Sequence, residues 1–245
     1  MNVTKELVAQ MAPSGTLRVG INLGNPVIAQ KGDGPEPKGV GPALGREVAR
    51  RLGVPVGFTT YETAGKLADA VKAGDWDVAF LAIDPARAED IDFTAAYVHI
   101  EGTYLVREDS PYRAVADLDR EGVRIAVGLK TAYDLYLTRA IKHATLVRGP
   151  TSIAAIEQFV NDELEAAAGV RQPLGKFAAA NPGHRVLDES FMVIRQASGV
   201  PKGRALARAF LADFIEEAKR SGFVAKALAE SGVGEVTIAP ASARA

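Results

Sequence analysis

The chain has 245 residues, of which 47% are hydrophobic and 24% are charged, and its formal net charge is −1 at pH 7. This composition is typical of a globular protein with a sizeable core, and the lack of a basic excess argues against a nucleic-acid partner. The sequence contains no cysteine, which excludes disulfides and thiolate metal sites, and its three histidines lie far apart. We therefore expect neither a metal nor a cofactor.

The first third of the chain alternates predicted strands and helices. Apolar runs rich in β-branched residues predict strands at 16–22, 54–61 and 76–83. Helices are predicted at 41–53 and 63–74, where apolar residues recur at helical spacing and a glycine closes each segment. This β-α-β-α-β order predicts a mostly parallel sheet with helices on its faces.

The same alternation restarts after residue 100. By the same criteria, strands are predicted at 101–109, 123–128, 145–149, 164–171 and 185–196. Helices are predicted at 131–144, 151–163 and 203–232, the last broken into two at Gly222.

The two alternating regions predict two α/β lobes. Lobe 1 comprises residues 1–106 and 194–245, and lobe 2 comprises residues 107–193. Two extended crossings between the lobes indicate a hinge, and a ligand of such a fold is expected in the cleft between the lobes.

Several segments of the chain resemble solute-binding protein family 3, the amino-acid-binding proteins of ABC transporters. The segments are, in order, LRVGIN, GVGPALGREVARRLGVPVGF, LADAVKAGDWDVAF, RAEDIDFTAAY, GVRIAVGLKTAYDLYL and TSIAAIEQFVNDELEAAAG. The resemblance extends from about residue 16 to about residue 232, and it implies the type II periplasmic-binding-protein fold. It also implies that the protein binds a small solute.

The resemblance assigns a ligand-binding role to Arg87. In this family an arginine shortly before a (V/I)DF(S/T)xxY stretch binds the ligand's carboxylate, and here IDFTAAY follows Arg87. A guanidinium can pair with a carboxylate through two parallel hydrogen bonds. The alternative is a structural ion pair of Arg87 with Asp84, Glu89 or Asp92.

The family also binds the carboxylate at a helix N-terminus in the second lobe, where free N–H groups attract anions. In the stretch GLKTAYDLYL, Thr131 takes the N-cap position of that helix. Lys130 stands where the family often has glycine, and it adds a positive charge. The alternative is that Lys130 is a solvated surface residue.

Two departures from the family pattern concern the groups that bind an α-amino acid. The loop before Arg87 is shorter than usual, and Ala82 and Asp84 stand near the positions of its hydroxyl side chains. The second-lobe aspartate that pairs with an ammonium group falls on Val170, and Arg171 follows it. Arg171 would bind a second acidic group of the ligand, or it is a surface residue at a strand end.

A third departure is the first-lobe loop, where GNPVIAQ replaces the usual aromatic segment. Asn22 and Asn25 provide amide groups in this loop, and Tyr61 and Tyr133 are partial substitutes for the aromatic residues. For either tyrosine, simple packing is the alternative. Together the departures predict a small mono- or dicarboxylate ligand without a conventional amino group, unless Asp84, Glu62 or Asp134 serves as the acceptor for an ammonium group.

The leading interpretation is non-catalytic binding of this carboxylate, by a transporter receptor that works with an ABC permease or by a cytoplasmic sensor or carrier. The alternative is a lyase similar to cyclohexadienyl dehydratase, which needs a general acid. Glu62, Asp84, Lys130 and Asp134 are candidate acids, and no motif selects one. A structural interaction domain is the third possibility.

The N-terminal segment has no apolar core of a signal peptide, and no apolar run reaches the length of a membrane span. We expect a cytoplasmic protein if Met1 is the native start. If the native chain begins further upstream, export to the periplasm is expected instead.

Overall fold

The computed structural model describes residues 3–242, which form two compact units. Unit 1 comprises residues up to 99 together with residues from 195 onward, and unit 2 comprises residues 100–194. The units therefore divide at 99/100 and 194/195, where the sequence predicts boundaries at 106/107 and 193/194.

The strands, numbered in chain order, lie in both units. They are β1 (Leu17–Asn22), β2 (Gln30–Lys31), β3 (Pro37–Lys38), β4 (Val56–Tyr61), β5 (Val78–Ala82), β6 (Ile91–Arg107), β7 (Arg124–Gly128), β8 (Thr145–Gly149), β9 (Ala166–Val170), β10 (His184–Val186), β11 (Met192–Pro201) and β12 (Thr237–Ile238).

The α-helices are numbered in the same way. They are α1 (Lys5–Met11), α2 (Val40–Leu52), α3 (Ala64–Asp69), α4 (Ala132–Ala140), α5 (Ser152–Asn161), α6 (Arg171–Ala180), α7 (Ala205–Arg220) and α8 (Phe223–Ser231).

Unit 1 is built on a sheet of order β4-β1-β5-β11-β6. Strand β1 runs parallel to both β4 and β5, whereas β11 runs antiparallel to β5. Every residue of β1 except Arg18 is buried, as its apolar run predicts. Because β4, β1 and β5 are parallel, their carboxyl ends, at Tyr61, Asn22 and Ala82, lie along the same edge of this sheet.

Unit 2 is built on a sheet of order β6-β9-β7-β8, with β10 paired to β6. Strands β8 and β9 both run parallel to β7, and helices α5, α4 and α6 follow β8, β7 and β9 in the chain. The N-termini of these three helices therefore lie along one edge of the sheet. A core of apolar residues that includes Leu105, Phe159, Leu164 and Leu174 fixes this arrangement.

Several elements differ from the sequence prediction. Strand β6 begins at Ile91, so the IDFTAAY stretch is part of one long strand. Helix α6 begins at Arg171, where a strand was predicted to end. Beyond residue 232, where no strand was predicted, β12 pairs with β6 at Thr237 and His99.

No helix within residues 3–242 is both long enough and apolar enough to cross a membrane.

Candidate functional site

In unit 1 the segment after β5 folds into a compact turn around Arg87. The side chain of Asp84 accepts a hydrogen bond from the backbone N–H of Ala86 at 2.9 Å, and a 3₁₀ helix then spans Arg87–Glu89. The Arg87 Nη1 donates to the carbonyl oxygen of Ala82, the last residue of β5, at 2.9 Å. The shortened loop thus directs the guanidinium back toward the end of β5.

Arg87 is buried, with only 6% of its surface exposed. Burial lowers the pKa of Arg87 to about 10, and the negative charges of Asp84 and Asp69 oppose that shift. The fold therefore holds a desolvated positive charge beside the carboxyl end of β5. Such a charge is stabilised by anionic neighbours, of the protein or of a ligand.

In unit 2 the turn between β7 and α4 contains Lys130, whose backbone is left-handed, with φ of +56°. Residues other than glycine rarely adopt this conformation. The N–H of Lys130 donates to Asp134 Oδ2 at 2.8 Å. Thr131 is the N-cap of α4, as predicted: its Oγ1 accepts from the N–H of Asp134 at 3.1 Å and donates to the carbonyl of Gly128 at 2.9 Å.

Asp134 holds this turn in place. The residue is 3% exposed, and its Oδ1 accepts from Arg148 Nε at 2.9 Å. With Oδ2 bonded to Lys130, both carboxylate oxygens have partners within unit 2. From the sequence, Asp134 was a candidate general acid or ammonium acceptor. Its hydrogen bonds with Lys130 and Arg148 give it a structural role instead.

Arg171 lies at the start of α6 and is bonded within unit 2. Its Nε pairs with the carboxylate of Glu101, Nη1 donates to the carbonyl of Leu187 at 2.9 Å, and Nη2 donates to the carbonyl of Asp188 at 2.8 Å. These contacts join α6 to two other segments of unit 2. Val170, which precedes Arg171, ends β9 and offers no side-chain acceptor for an ammonium group.

The two asparagines of the first-lobe loop stabilise the turn that follows β1. The Oδ1 of Asn22 accepts from the N–H of Gly24 at 2.9 Å, and the Oδ1 of Asn25 accepts from the N–H of Val27 at 3.2 Å. Because β1 and β5 are parallel neighbours, Asn22 and Ala82 end their strands at the same sheet edge.

The two tyrosines considered as aromatic substitutes pack inside their own units. Tyr61 contacts the apolar cluster around Leu67 and Trp76 in unit 1. Tyr133 is buried in unit 2, and its hydroxyl is hydrogen-bonded to Ser152 Oγ at 2.8 Å. These contacts fit the packing alternative for both residues.

The fold therefore groups the predicted residues into two sets, one in each unit. In unit 1, Asn22, Tyr61, Ala82, Asp84 and Arg87 lie at or just beyond the carboxyl ends of β1, β4 and β5.

In unit 2, Lys130, Thr131, Tyr133 and Arg171 lie beyond the carboxyl ends of β7 and β9.

The sequence analysis missed the organising role of Asp134. The Thr-x-x-Asp spacing at the start of α4, which is typical of a helix N-terminus, was an available signal. Within the part of the chain that the structure describes, no group of three or more His, Asp or Glu residues could hold a metal ion.

Comparison with known families and structures gives consistent results. The model of the bacterial extracellular solute-binding proteins, family 3, matches residues 17–231. No curated protein matches the chain.

Solved structures share the fold at low sequence identity. An ancestral amino acid-binding protein, AncCDT-1, described as a precursor of cyclohexadienyl dehydratase, is 22% identical with a TM-score of 0.76, covering 91% of this chain and 97% of that chain. A variant of ArgBP from T. maritima is 22% identical with a TM-score of 0.78, and the match covers 94% of this chain and 100% of that chain.

A third structure is AbpA from Streptococcus pneumoniae, an amino acid ABC transporter substrate-binding protein bound to L-arginine. It is 18% identical with a TM-score of 0.77, and the match covers 90% of this chain and 96% of that chain. These similarities confirm the predicted periplasmic-binding-protein-like α/β fold.

Proposed function

Because the chain belongs to family 3 of the bacterial extracellular solute-binding proteins, we propose that it reversibly binds a small carboxylate-bearing solute. The observation that carries the proposal is the buried guanidinium of Arg87 beyond the end of β5. The solute leaves chemically unchanged, so the protein acts as a receptor and not as an enzyme.

The environment of Arg87 supports an anionic ligand. Burial disfavours its charge, as the lowered pKa indicates, and the carbonyl of Ala82 fixes one end of the guanidinium. A carboxylate placed against the guanidinium would form charge-assisted hydrogen bonds and offset part of the desolvation cost.

The N-terminus of α4 supports the same ligand class in unit 2. Helix N-termini attract anions through their N–H groups and dipole, and Lys130 adds a positive charge beside Thr131. Val170 removes the acceptor that an α-ammonium group would need. We therefore propose a carboxylate without a conventional amino group, in contrast to the L-arginine bound by the S. pneumoniae protein.

Two of the four candidate general acids, Asp134 and Glu62, have environments that support binding over catalysis. Asp134 is buried and bonded through both oxygens. Glu62 lies on the surface in an ion pair with Lys66 at 2.7 Å, which lowers its pKa. The lowered pKa of Glu62 is opposite in direction to the raised carboxyl pKa that general-acid catalysis near neutral pH requires.

The proposed partner is an ABC transporter permease, which would receive the solute from this protein outside the cytoplasm. A form retained in the cytoplasm would act as a sensor or carrier for the same solute. Fractionation of cells that express the native gene, followed by immunoblotting, separates the two cases.

The binding proposal is tested with pairs of ligands that differ only in charge. Thermal shifts are measured for mono- and dicarboxylates, for their neutral amides, and for the matching α-amino acids. We expect acids to stabilise the protein and amides to have no effect. A ligand at a hundredfold excess over its Kd adds about 2.7 kcal/mol to the stability, which a thermal shift readily detects.

The best acid is then titrated into Arg87 variants by calorimetry. Arg87→Lys keeps the charge but loses the planar fork, so affinity should fall about tenfold, and Arg87→Met should cost at least a hundredfold. Arg50→Met, at an exposed position on α2, is the matched control. Unchanged affinity in a folded Arg87→Met variant would refute the role of Arg87, and conversion of the acid, followed by NMR, would refute the receptor proposal.

A further inference from the structure

Unit 2 contains a cavity of about 720 Å³ that is lined by none of the candidate ligand-binding residues described above. It opens beside the C-terminal half of α4. Its walls are formed by three aromatic side chains and three acidic residues, namely Tyr104, Tyr136, Phe191, Asp119, Asp188 and Glu189. The volume is sufficient for a small organic molecule.

The aromatic residues form one continuous wall with Phe191 at its centre. The rings of Tyr104 and Phe191 have centroids 4.6 Å apart, and those of Tyr136 and Phe191 are 6.0 Å apart and nearly parallel, at 18°. Such a wall offers apolar contact to a ligand and attracts a cation placed over a ring face.

The charges around the cavity are negative. Asp119 is held by the backbone N–H groups of residues 142–144 at 2.8–3.1 Å. Although burial opposes its ionisation, these hydrogen bonds keep the pKa of Asp119 below its ordinary value. Glu189 accepts from the N–H of Val115 at 2.9 Å. Of the residues described around the cavity, none is a lysine, arginine or histidine.

The position on α4 adds to this negative field. The cavity is lined by Leu137, Ala140 and Ile141, which belong to the last turn of the helix and its C-cap. The C-terminal end of a helix dipole carries partial negative charge and favours cations. The two ends of α4 therefore favour ligand groups of opposite charge.

Tyr104 provides a hydroxyl group at the cavity. The residue is 1% exposed and is one of those that line the cavity. Burial, with smaller contributions from Asp119 and Tyr136, raises the pKa of Tyr104, so the hydroxyl stays neutral. The oxygen of a neutral phenol can accept a hydrogen bond from a ligand that enters the cavity.

We propose that this cavity is a second ligand site, which binds an organic ammonium ion with an apolar or aromatic body. The apolar body lies on the wall of Tyr104, Tyr136 and Phe191. The ammonium group donates a hydrogen bond to the Tyr104 hydroxyl and lies in the field of the three carboxylates. The cavity is not lined by Arg87, Lys130 or Thr131, and the proposed site does not depend on these carboxylate-binding residues.

The test uses 2-phenylethylammonium as the probe, with 2-phenylethanol as the neutral control and 3-phenylpropanoate as the anionic control. Calorimetry on the full chain measures all three, and NMR shifts of the cavity residues locate the site. We expect the ammonium ion to bind at least tenfold more tightly than either control. No binding of the ammonium ion at millimolar concentration, or equal binding of the alcohol, would overturn the proposal.

Variants identify the groups responsible. Tyr104→Phe removes only the hydroxyl and keeps the aromatic ring, so the fold should be kept while affinity falls about tenfold. Asp188→Asn, at an exposed carboxylate, should reduce affinity about threefold, whereas the control Asp109→Asn should have no effect. Arg87→Lys should leave ammonium binding unchanged. If Tyr104→Phe binds the probe as the wild type does, the assignment of the hydroxyl is wrong.

Discussion

The left-handed backbone at Lys130 gives a quantitative prediction about stability. A residue with a Cβ pays about 1–2 kcal/mol in this conformation, and glycine avoids that penalty. Glycine loses about 0.5–1 kcal/mol more backbone entropy on folding than alanine does. The difference predicts that Lys130→Gly is more stable than Lys130→Ala by about 0.5–1 kcal/mol.

The comparison of glycine with alanine isolates the backbone. Both variants lack the side chain beyond Cβ, so any interaction of the lysine ammonium group cancels between them. Both also keep the N–H that donates to Asp134. Thermal unfolding followed by circular dichroism should show a Tm about 2–3 °C higher for the glycine variant.

A second comparison asks why the chain carries a lysine where the family often has glycine. If the side chain contributes to anion binding, Lys130→Ala should weaken binding of the best carboxylate about threefold to tenfold without a large change in Tm. A glycine variant that is less stable than the alanine variant would refute the strain argument. Equal carboxylate affinity of Lys130→Ala and the wild type would show that the lysine charge has no role in binding.

Two further predictions concern ion pairs in unit 1. Asp77 is fully buried and accepts hydrogen bonds from Arg18 at 2.8 Å and from Arg204 at 3.0 Å. Asp77→Ala should therefore lower the free energy of unfolding, measured in urea, by about 3 kcal/mol. A loss below about 1 kcal/mol would contradict this prediction. Hydrogen bonds from Arg50, and then from Arg51, lower the pKa of Glu47 to about 2. The ionised form of Glu47 therefore adds about 1 kcal/mol to the free energy of unfolding above pH 4.5, and this contribution is lost as the pH falls toward 2. Glu47→Gln should be less stable than the wild type at pH 7 and equally stable at pH 2.

Local signals in the sequence predicted most of the elements correctly. The apolar run of β1 indicated a buried strand, and Thr131 was correctly expected to cap α4. Gly53 and Gly222 adopt the left-handed conformation that ends α2 and separates α7 from α8. These features depend on a few neighbouring residues, which the sequence displays directly.

Elements that depend on distant partners were not predictable in this way. Helix α6 contains Pro173 and Gly175, which weaken the helical signal, although a proline is tolerated in the first turn. Strand β12 has only two residues and forms because β6 is available to pair with it. Short strands of this kind carry almost no periodicity.

The same distinction applies to the candidate site. The position of Arg87 before IDFTAAY is a local signal, whereas its burial depends on how the turn folds back to Ala82. The pairing of Arg171 with Glu101 joins residues that are distant in the chain. The cavity beside α4 combines residues from β6, α4 and the segment before β11, and no sequence motif links them.

The central claim, that the protein is a receptor for a small carboxylate, is tested most directly by native mass spectrometry of the purified protein. The sample is measured as purified and again after addition of the carboxylate panel, and the bound molecule is identified after release under denaturing conditions. The account predicts a mass increase from a small acid that is released unchanged. It is contradicted if no carboxylate binds at millimolar concentration, or if the released molecule differs from the one added.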